Sequence, residues 1–201
     1  EYGLLKTLFC AFFYLQFSIV CAETPSLKDL SRYLSSLERV SGFFVQENAD
    51  GSEAEGKIFL RKPGRMRMEY TAPANALIVA GGSQIAIFDP KSNTFPRRFP
   101  LGKTPLGFIL KKEINLERSG LVVSHSEFEL TTEIILQDMD LSDSENIKLV
   151  FYNNPLRIKE WVITNESDEK TRISLFDLEY DSDSSTRKFS IDYEIKKRGL
   201  E

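Results

Sequence analysis

Few residues of this chain could carry out covalent chemistry. His125 is the single histidine and lies between two serines, in a setting that favours an exposed or structural side chain over a general base. Ser83 follows two glycines, but the run Gly-Gly-Ser-Gln-Ile lacks the second glycine of a nucleophile elbow. No glycine loop of the kind that cradles phosphate is present. The sequence therefore predicts no catalytic residue and a protein that is not an enzyme.

One acidic cluster could in principle hold a metal ion. It consists of Asp138, Asp140, Asp143 and Glu145. Calcium loops need oxygen ligands at closer and more regular spacing, together with a glycine for the turn. A solvated acidic turn is the simpler interpretation. We expect no metal and no cofactor.

A cation on an apolar strand face is the most informative feature. Ile58 and Leu60 are followed two residues later by Lys62, directly before the turn at Pro63 and Gly64. Side chains alternate along a strand, so the three share a face unless the turn twists Lys62 outward. A cation beside an apolar interior costs free energy unless it is paired or solvated. The pattern indicates a lined cavity rather than an ordinary core.

The strand after the turn extends this lining. Met66, Met68 and Tyr70 share one face, and the opposite face, with Arg65, Arg67 and Glu69, is predicted to be wet. Methionine is flexible and polarisable and suits a wall that adapts to a ligand, although it also fills ordinary cores.

The elements that must position these residues are mostly strands. Pro25–Val40 is predicted to be an amphipathic helix, with Pro25 in its first turn and a cap within Thr24–Ser26, because leucines recur at spacings of three and four. Short alternating segments separated by turn residues follow, which predicts an antiparallel meander curled into a barrel or half-barrel. The predicted strands are Gly42–Asn48, Glu55–Arg61, Arg65–Thr71, Ala76–Ala80, Gln84–Asp89, Thr94–Phe99, Leu121–Ser126, Glu129–Gln137, Asn146–Tyr152, Arg157–Asn165, Thr171–Leu178 and Arg187–Glu194.

Thr104–Leu110 interrupts this rhythm. The apolar segment begins with Thr-Pro, which predicts a short helix with Thr104 as N-cap and Pro105 at its first position. Such a helix must lie on the sheet or close its open end. Leu106, Ile109 and Leu110 are predicted to face inward, whereas the direction of Phe108 is left open.

The N-terminal segment has the pattern of a secretory signal. Lys6 precedes an apolar run that ends at Val20, Cys21 and Ala22. We expect residues 1–22 to be cleaved and residues 23–201 to form one domain. Both cysteines, Cys10 and Cys21, lie in the cleaved part, so the mature chain would contain none. Alternatively, Cys21 is the lipidated cysteine of a lipoprotein, although Ser-Ile-Val before it is unfavourable for that processing.

Composition limits the partners. The net charge of the chain is −4, and no basic stripe interleaved with aromatic residues is present. Nucleic acid is therefore excluded as a partner.

Five motifs follow one another along the chain: SGFFVQ at 41–46, GKIFLRKPGRMRMEY at 56–70, LIVAGGSQIAIFDP at 77–90, TPLGFIL at 104–110, and NPLRIKEW at 154–161 followed by TRISL at 171–175. In this order they resemble the outer-membrane lipoprotein carrier family of LolA-type chaperones. The later strand pair resembles that of many alphaproteobacterial members, which implies such a source. Three departures stand out: Lys62 where the family usually has arginine, Met68 where tryptophan is common, and no Pro-Gly after the last strand.

The resemblance implies a fold and a task. The fold is an incomplete, unclosed antiparallel β-barrel with an N-terminal amphipathic helix and a short lid helix over an apolar cavity. The task is to take lipoproteins from an ATP-driven inner-membrane complex, carry them through the periplasm as a monomer, and release them to an outer-membrane acceptor where one exists. The implied lipid-binding lining is Ile58, Leu60, Met66, Met68, Tyr70, Ile85 and Ile87.

In the family, the arginine before the turn proline bonds to the lid backbone and keeps the lid closed. The resemblance implies the same role for Lys62, as a weaker latch for Leu106, Ile109 and Leu110. The alternative is that Lys62 extends to solvent at the turn. Other functions left open are a membrane-anchored lipoprotein acceptor, a lipid-sensing regulatory protein of the same fold, a periplasmic hydrolase, and a structural β-protein with a solid core.

Overall fold

The computed structural model describes residues 24–118, 120–137, 145–182 and 184–200. Eleven strands form one sheet, with helices attached to both of its faces. The strands are β1 (Arg39–Glu47), β2 (Glu53–Arg61), β3 (Arg65–Tyr70), β4 (Leu77–Gly81), β5 (Gln84–Phe88), β6 (Arg97–Pro100), β7 (Val122–Glu127), β8 (Thr131–Leu136), β9 (Asn146–Tyr152), β10 (Arg157–Thr164) and β11 (Lys170–Tyr180). The helices are α1 (Leu27–Ser36), α2 (Leu106–Ile109) and α3 (Ile191–Lys197), with 3-10 turns at Leu101–Lys103 and Thr186–Phe189.

The sheet is an antiparallel meander that does not close. Its order is β6-β5-β4-β3-β2-β1-β11-β10-β9-β8-β7, so the first and last strands of the meander pair in its middle. The two free edges are β6 and β7, from the middle of the chain. The predicted unclosed antiparallel barrel with helices is confirmed. Eleven of the predicted strands are present, with ends that differ by a few residues.

Cross-strand register defines an inner and an outer face. Ile58 pairs with Met68 and Leu60 with Met66, so these four side chains share one face. The face continues in the other half of the sheet, where the fully buried Trp161 pairs with Ile173 and Leu149. These residues belong to one apolar cluster, which also includes side chains of α1 and α2.

Helix α1 is shorter than the predicted Pro25–Val40. Its N-terminus has a capping box in which Ser26 Oγ accepts from the Asp29 N–H and the Asp29 carboxylate accepts from the Ser26 N–H. Ser26 is therefore the cap, and Pro25 lies before the helix instead of in its first turn. The chain leaves the helix at Leu37, and Val40 joins β1 opposite Leu60. Leucine spacing alone did not separate the helix from the first strand residues.

The twelfth predicted strand, Arg187–Glu194, is wrong. The segment is the 3-10 turn followed by α3, which begins after Ser190, whose Oγ accepts from the Tyr193 N–H. Ile191 and Ile195, one helical turn apart, pack on the outer face of β4 and β5 in a second apolar cluster. The four-residue spacing of these isoleucines fits a helix. The polar residues between them make the sequence look like a strand in which polar and apolar residues alternate.

Helix α3 also corrects the prediction that Arg67 is wet. Arg67 is 8% exposed because the helix covers it. Its Nη1 lies 3.2 Å from Glu194 Oε2, and its Nε lies 2.6 Å from Glu69 Oε1. Arg198 Nε approaches the other Glu194 oxygen at 3.0 Å. The outer face therefore holds a buried cluster of ion pairs. Their mutual attraction offsets the free-energy cost of removing these charges from water.

Within the described residues, no helix combines the length and apolar character needed to cross a membrane.

Candidate functional site

The inner face of β2 and β3 forms an apolar wall. Ile58, Leu60, Met66 and Met68 are at most 8% exposed, and Met66 lies between Leu60 and Ala80 in adjacent strands. Strand alternation places all four on this face, as the sequence predicts. These four side chains are all apolar, and Lys62 follows them at the turn where β2 ends.

The remaining predicted lining residues extend the wall on both sides. Ile85 is buried, whereas Ile87 and Tyr70 are half-buried and pack against the same cluster. The Tyr70 ring lies edge-on to Phe44 at 4.9 Å between centroids, and its hydroxyl donates to Gln46 Oε1 at 2.6 Å. Burial raises the pKa of this hydroxyl. The structure thus brings all seven predicted lining residues to one face.

Helices α1 and α2 cover this wall. Leu30 and Leu34 of α1 and Ile109 of α2 are almost fully buried against it, as is Leu110 directly after α2. Leu106 is half-buried and packs on the same cluster. Phe108, whose direction the sequence left open, is half-buried too, with Lys111 Nζ 5.0 Å from its ring centre. We refer to α1, α2 and the segment 110–116 together as the cover.

Lys62 connects the barrel to α1. Its side chain lies on the face of Ile58 and Leu60, and its Nζ donates to the Leu34 carbonyl oxygen at 2.6 Å. Only 9% of Lys62 is exposed, so the alternative that it extends to solvent is wrong. Burial lowers the pKa of its amine to about 8. The bond expected to reach the short helix therefore reaches the last turn of α1 instead.

The same turn is connected to α2 through its backbone. The Gly64 N–H donates to the Leu110 carbonyl at 2.8 Å. Gly64 adopts a φ of 68°, a conformation that glycine takes without a Cβ penalty. Pro105, not Thr104, occupies the N-cap position of α2, and no side chain caps the helix there. The Thr104 hydroxyl instead donates to the Leu101 carbonyl. The turn after β2 thus binds both helices of the cover.

Two serines of α1, one turn apart, join the parts of the cover. Ser35 Oγ accepts from the Ile114 N–H at 3.0 Å and donates to the Ile114 carbonyl at 3.3 Å. Ser31 Oγ accepts from the Leu116 N–H at 2.9 Å. Neither serine is among the site residues predicted from the sequence. Their spacing of four on the helix was the available signal, but their backbone partners lie about 80 residues away.

Tyr33 is a third contact that the sequence analysis missed. Its hydroxyl accepts from the Ile158 N–H of β10 at 2.9 Å and lies 3.2 Å from the Tyr180 hydroxyl. Its ring meets Phe151 edge-on. Burial raises the pKa of Tyr33, so it stays a neutral donor and acceptor. Helix α1 is therefore bound to both halves of the sheet by a small number of polar contacts.

Little free volume remains beneath the cover. A cavity of about 20 Å³ lies between α1, α2 and the sheet, with Leu34, Lys62, Ile109 and Trp161 in its lining. This volume is close to that of a single water molecule. A second crevice of about 80 Å³ opens beside α2, between Phe108, Leu121, Leu136 and Ile147. Any larger apolar ligand beneath the cover requires the helices to move.

The other candidate residues lie away from this interior. His125 is on edge strand β7, with its Nε2 3.8 Å from Glu127, and Ser83 lies in the β4–β5 turn at a φ of 63°. Among the described residues, no group of three or more His, Cys, Asp or Glu side chains could hold a metal ion. Asp138, Asp140 and Asp143 of the acidic cluster lie outside the described residues, as do Cys10, Cys21 and the predicted signal segment.

Comparison with known proteins identifies the family. The family model for the outer membrane lipoprotein carrier protein LolA matches residues 35–192. The chain belongs to the LolA family. This match covers the β1–β11 sheet, the cover from the end of α1 onward, and the start of α3. The resemblance inferred from the five motifs is confirmed, whereas the alphaproteobacterial source stays a prediction.

Relatives of similar length carry the family name. The outer-membrane lipoprotein carrier protein of Chromohalobacter salexigens is 24% identical over 179 residues, which span 85% of this chain and 84% of that protein. The protein of the same name from Pseudomonas paraeruginosa is 21% identical over 199 residues, 94% of each chain. A LolA superfamily protein from Nitrosomonas europaea aligns with 84% of this LolA-family chain and 99% of its own, at 12% identity and a TM-score of 0.47.

Proposed function

We propose that this protein is a periplasmic chaperone that binds the acyl chains of lipoproteins released from the inner membrane and carries them to the outer membrane. One observation carries the proposal. The apolar inner face of the sheet is closed by helices that join the barrel through few polar contacts, among them Lys62 to Leu34 and Gly64 to Leu110. Family membership supports the same task.

Acyl chains would take the place of the cover's apolar side chains in contact with the inner wall. Each buried methylene contributes roughly 0.8 kcal/mol, so enclosing one long acyl chain would contribute on the order of 10 kcal/mol. A carrier must also release its cargo. Because the space under the cover is about 20 Å³, binding first displaces Leu34 and Ile109 from the wall. The free energy of this displacement offsets part of the binding and makes release possible.

Lys62 is the proposed latch of the closed cover. Its bond to Leu34 fixes the end of α1, and the neighbouring Gly64 bond fixes the end of α2. A movement of this one turn would therefore loosen both helices together. We propose the seven residues of the inner wall as the lipid-contacting lining, and Leu106, Ile109 and Leu110 as the side chains that the acyl chains displace.

The proposed partners follow from the task. Cargo would come from an inner-membrane ATP-driven complex that extracts acylated lipoproteins, and an outer-membrane acceptor would receive it where one exists. Transfer requires no covalent bond to be made or broken.

The decisive experiment is purification of the protein from the periplasm, followed by intact-mass analysis. We expect a mature chain that begins at Glu23 and co-purifies with triacylated lipoprotein. A chain lipidated at Cys21 would contradict the soluble carrier and favour a membrane-anchored acceptor. If no lipoprotein co-purifies and none can be loaded in vitro, the proposed function is wrong.

A further inference from the structure

The two free edges of the sheet are protected to different degrees. Edge strand β6 has four residues, includes Arg97 and Arg98, follows Pro96 and ends with Pro100. Short length, positive charge and proline are features that prevent another strand from adding to an edge. Edge strand β7 has six residues and contains no proline, lysine or arginine. Its register shifts between Val122 and Ser124, and the Thr24 hydroxyl donates to the Glu127 carboxylate at its end. Of the two edges in the described sheet, β7 is therefore the less protected against pairing.

The ladder shows which backbone groups of β7 point outward. The Phe128 N–H donates to the Thr131 carbonyl of β8 at 2.8 Å, so Phe128 faces β8. Backbone groups alternate in direction along a strand, and those of His125 and Glu127 consequently point away from β8. No described strand pairs with that side. The outward N–H and C=O groups of these residues form a template for an extended peptide.

The beginning of β7 lies beside the proposed lipid site. Val122 pairs with Leu136 and packs against the main apolar cluster. The crevice of about 80 Å³ next to α2 includes Leu121, the residue before β7, together with Leu136 and Phe108. A chain that leaves the interior beside α2 therefore emerges at the start of this open edge.

We propose that β7 binds, as an added strand, the extended polypeptide that follows the acylated residue of the cargo. The proposal rests on the proposed carrier function and extends it from the acyl chains to the protein part of the cargo. Pairing of this kind takes its affinity from main-chain hydrogen bonds. It therefore depends little on cargo sequence, as a carrier of different lipoproteins requires.

A proline at position 125 tests the proposal. Proline is tolerated in an edge strand where the N–H faces solvent, and it removes the outward donor of His125. His125→Ala keeps the donor and removes only the side chain, so it is the matched control. The probes are two synthetic lipopeptides with the same acylated N-terminal residue, one ending after two residues and one continuing for about eight more, a length that would cover the six-residue edge.

The expected result is a difference in affinity between the probes. Wild type and His125→Ala should bind the long probe on the order of tenfold more tightly than the short one, because several main-chain bonds are added. His125→Pro should bind both probes with the dissociation constant that wild type has for the short probe. A long probe with N-methylated amides should lose the gain on the wild-type protein, and this measurement needs no variant.

Other results would overturn the proposal. The added strand is excluded if chain length does not affect affinity for wild type, or if His125→Pro and N-methylation both leave the gain intact. In either case, tight binding of the short probe would still support the carrier function. A concentration-dependent dimer that His125→Pro abolishes, without any gain for the long probe, would assign the edge to a second copy of the chain. Failure of both probes to bind wild type would contradict the carrier function itself.

Discussion

At the scale of single residues, Lys62 connects the wall to its cover. Its ammonium group meets the Leu34 carbonyl in the last turn of α1, where the helix dipole favours a cation. The same carbonyl also accepts from the Leu37 N–H at 3.3 Å. Burial among apolar side chains disfavours the charge and lowers the pKa to about 8. The proposed latch therefore combines a charge-assisted hydrogen bond with a desolvation cost.

Replacing Lys62 by methionine tests the latch. Lys62→Met keeps the apolar stem but leaves the Leu34 carbonyl without this donor. We expect the closed form to lose about 1 kcal/mol, which corresponds to roughly fivefold faster uptake of a fluorescent acyl probe in stopped-flow measurements. Lys62→Arg retains a donor and should stay close to wild type. Equal uptake and release rates in the methionine variant and wild type would exclude a latch.

The lowered pKa of Lys62 predicts a pH dependence of opening. When the cover opens and Lys62 meets water, its pKa returns towards 10.5. Between pH 8 and 10.5 the open form then binds more protons than the closed form, so raising the pH favours the closed form. Uptake of the acyl probe should slow across this window and be independent of Lys62 below pH 8. Lys62→Met should lack this slowing, and a slope that persists in the variant must come from another group.

Residue-level prediction from sequence worked where it depended on strand alternation. The inner positions of Ile58, Leu60, Met66 and Met68 follow from the alternation of side chains along two adjacent strands. The partner of Lys62 did not follow, because it depends on which helix packs over the turn. Which helix packs there depends on tertiary contacts, and no spacing in the sequence indicates that Lys62 and Leu34 come together.

At the scale of elements, Ser31 and Ser35 make the cover a connected unit. Both side chains lie on α1 and bond to backbone groups of the segment after α2. The helices therefore do not move independently while these bonds persist. The spacing of the two serines matches one turn of α1, so the bonds form on one side of the helix.

Removing both serine hydroxyls should loosen the cover locally. In Ser31→Ala/Ser35→Ala, the Ile114 and Leu116 amides lose their acceptors, at a cost of about 1 kcal/mol for each bond. Hydrogen exchange of these two amides should become several-fold faster. The control is Ser36→Ala, whose hydroxyl donates to the Tyr33 carbonyl within α1. Unchanged exchange in the double variant would show that packing alone holds the segment.

Helix α3 stabilises the outer face through a buried carboxylate. Burial raises the pKa of Glu194, but hydrogen bonds from Arg198 and the charge and hydrogen bond of Arg67 outweigh this and hold it below its usual range. The ion pairs therefore contribute stability above the pKa of the unfolded state, about 4.3, and this stability is lost as the pH falls through the native value.

Truncating this carboxylate should cost considerable stability. Glu194→Ala leaves the Arg67 guanidinium buried without its partner in α3, and we expect a loss of about 3 kcal/mol in the free energy of unfolding by urea. Lys197→Ala, an exposed position on the same helix, should change it by less than about 0.5 kcal/mol. A Glu194→Ala variant as stable as wild type would mean that the cluster contributes no net stability.

The misreading of this region shows a limit of pattern analysis. Arg187–Glu194 has polar and apolar residues in near alternation, and a strand was the simple interpretation. Ile191 and Ile195 decide against it, but they fit a helix only when the segment is extended to Lys197 and Ser190 is recognised as its cap. Short segments leave too few positions to separate the helical period from the strand period.

At the scale of the whole molecule, one sheet presents two chemically different faces. The inner face packs against α1 and α2, and part of the outer face, on β4 and β5, packs against α3. The meander, its eleven strands apart from the wrongly predicted twelfth, and its inner face could be predicted, because turns and alternation are local. The way in which the helices fill the interior could not, because it results from contacts between distant segments.

The central claim is that acyl chains enter the space between the inner wall and the cover. Methyl NMR of isoleucine-labelled protein, loaded with an acylated lipopeptide that carries a spin label on its acyl chain, tests this without any substitution. The isoleucines of the inner wall report on the proposed site, and those of α3 on the opposite face serve as the internal control. We predict strong broadening of Ile58 and Ile85 and none of Ile191 and Ile195; equal broadening of both pairs, or of the α3 pair alone, would contradict the account.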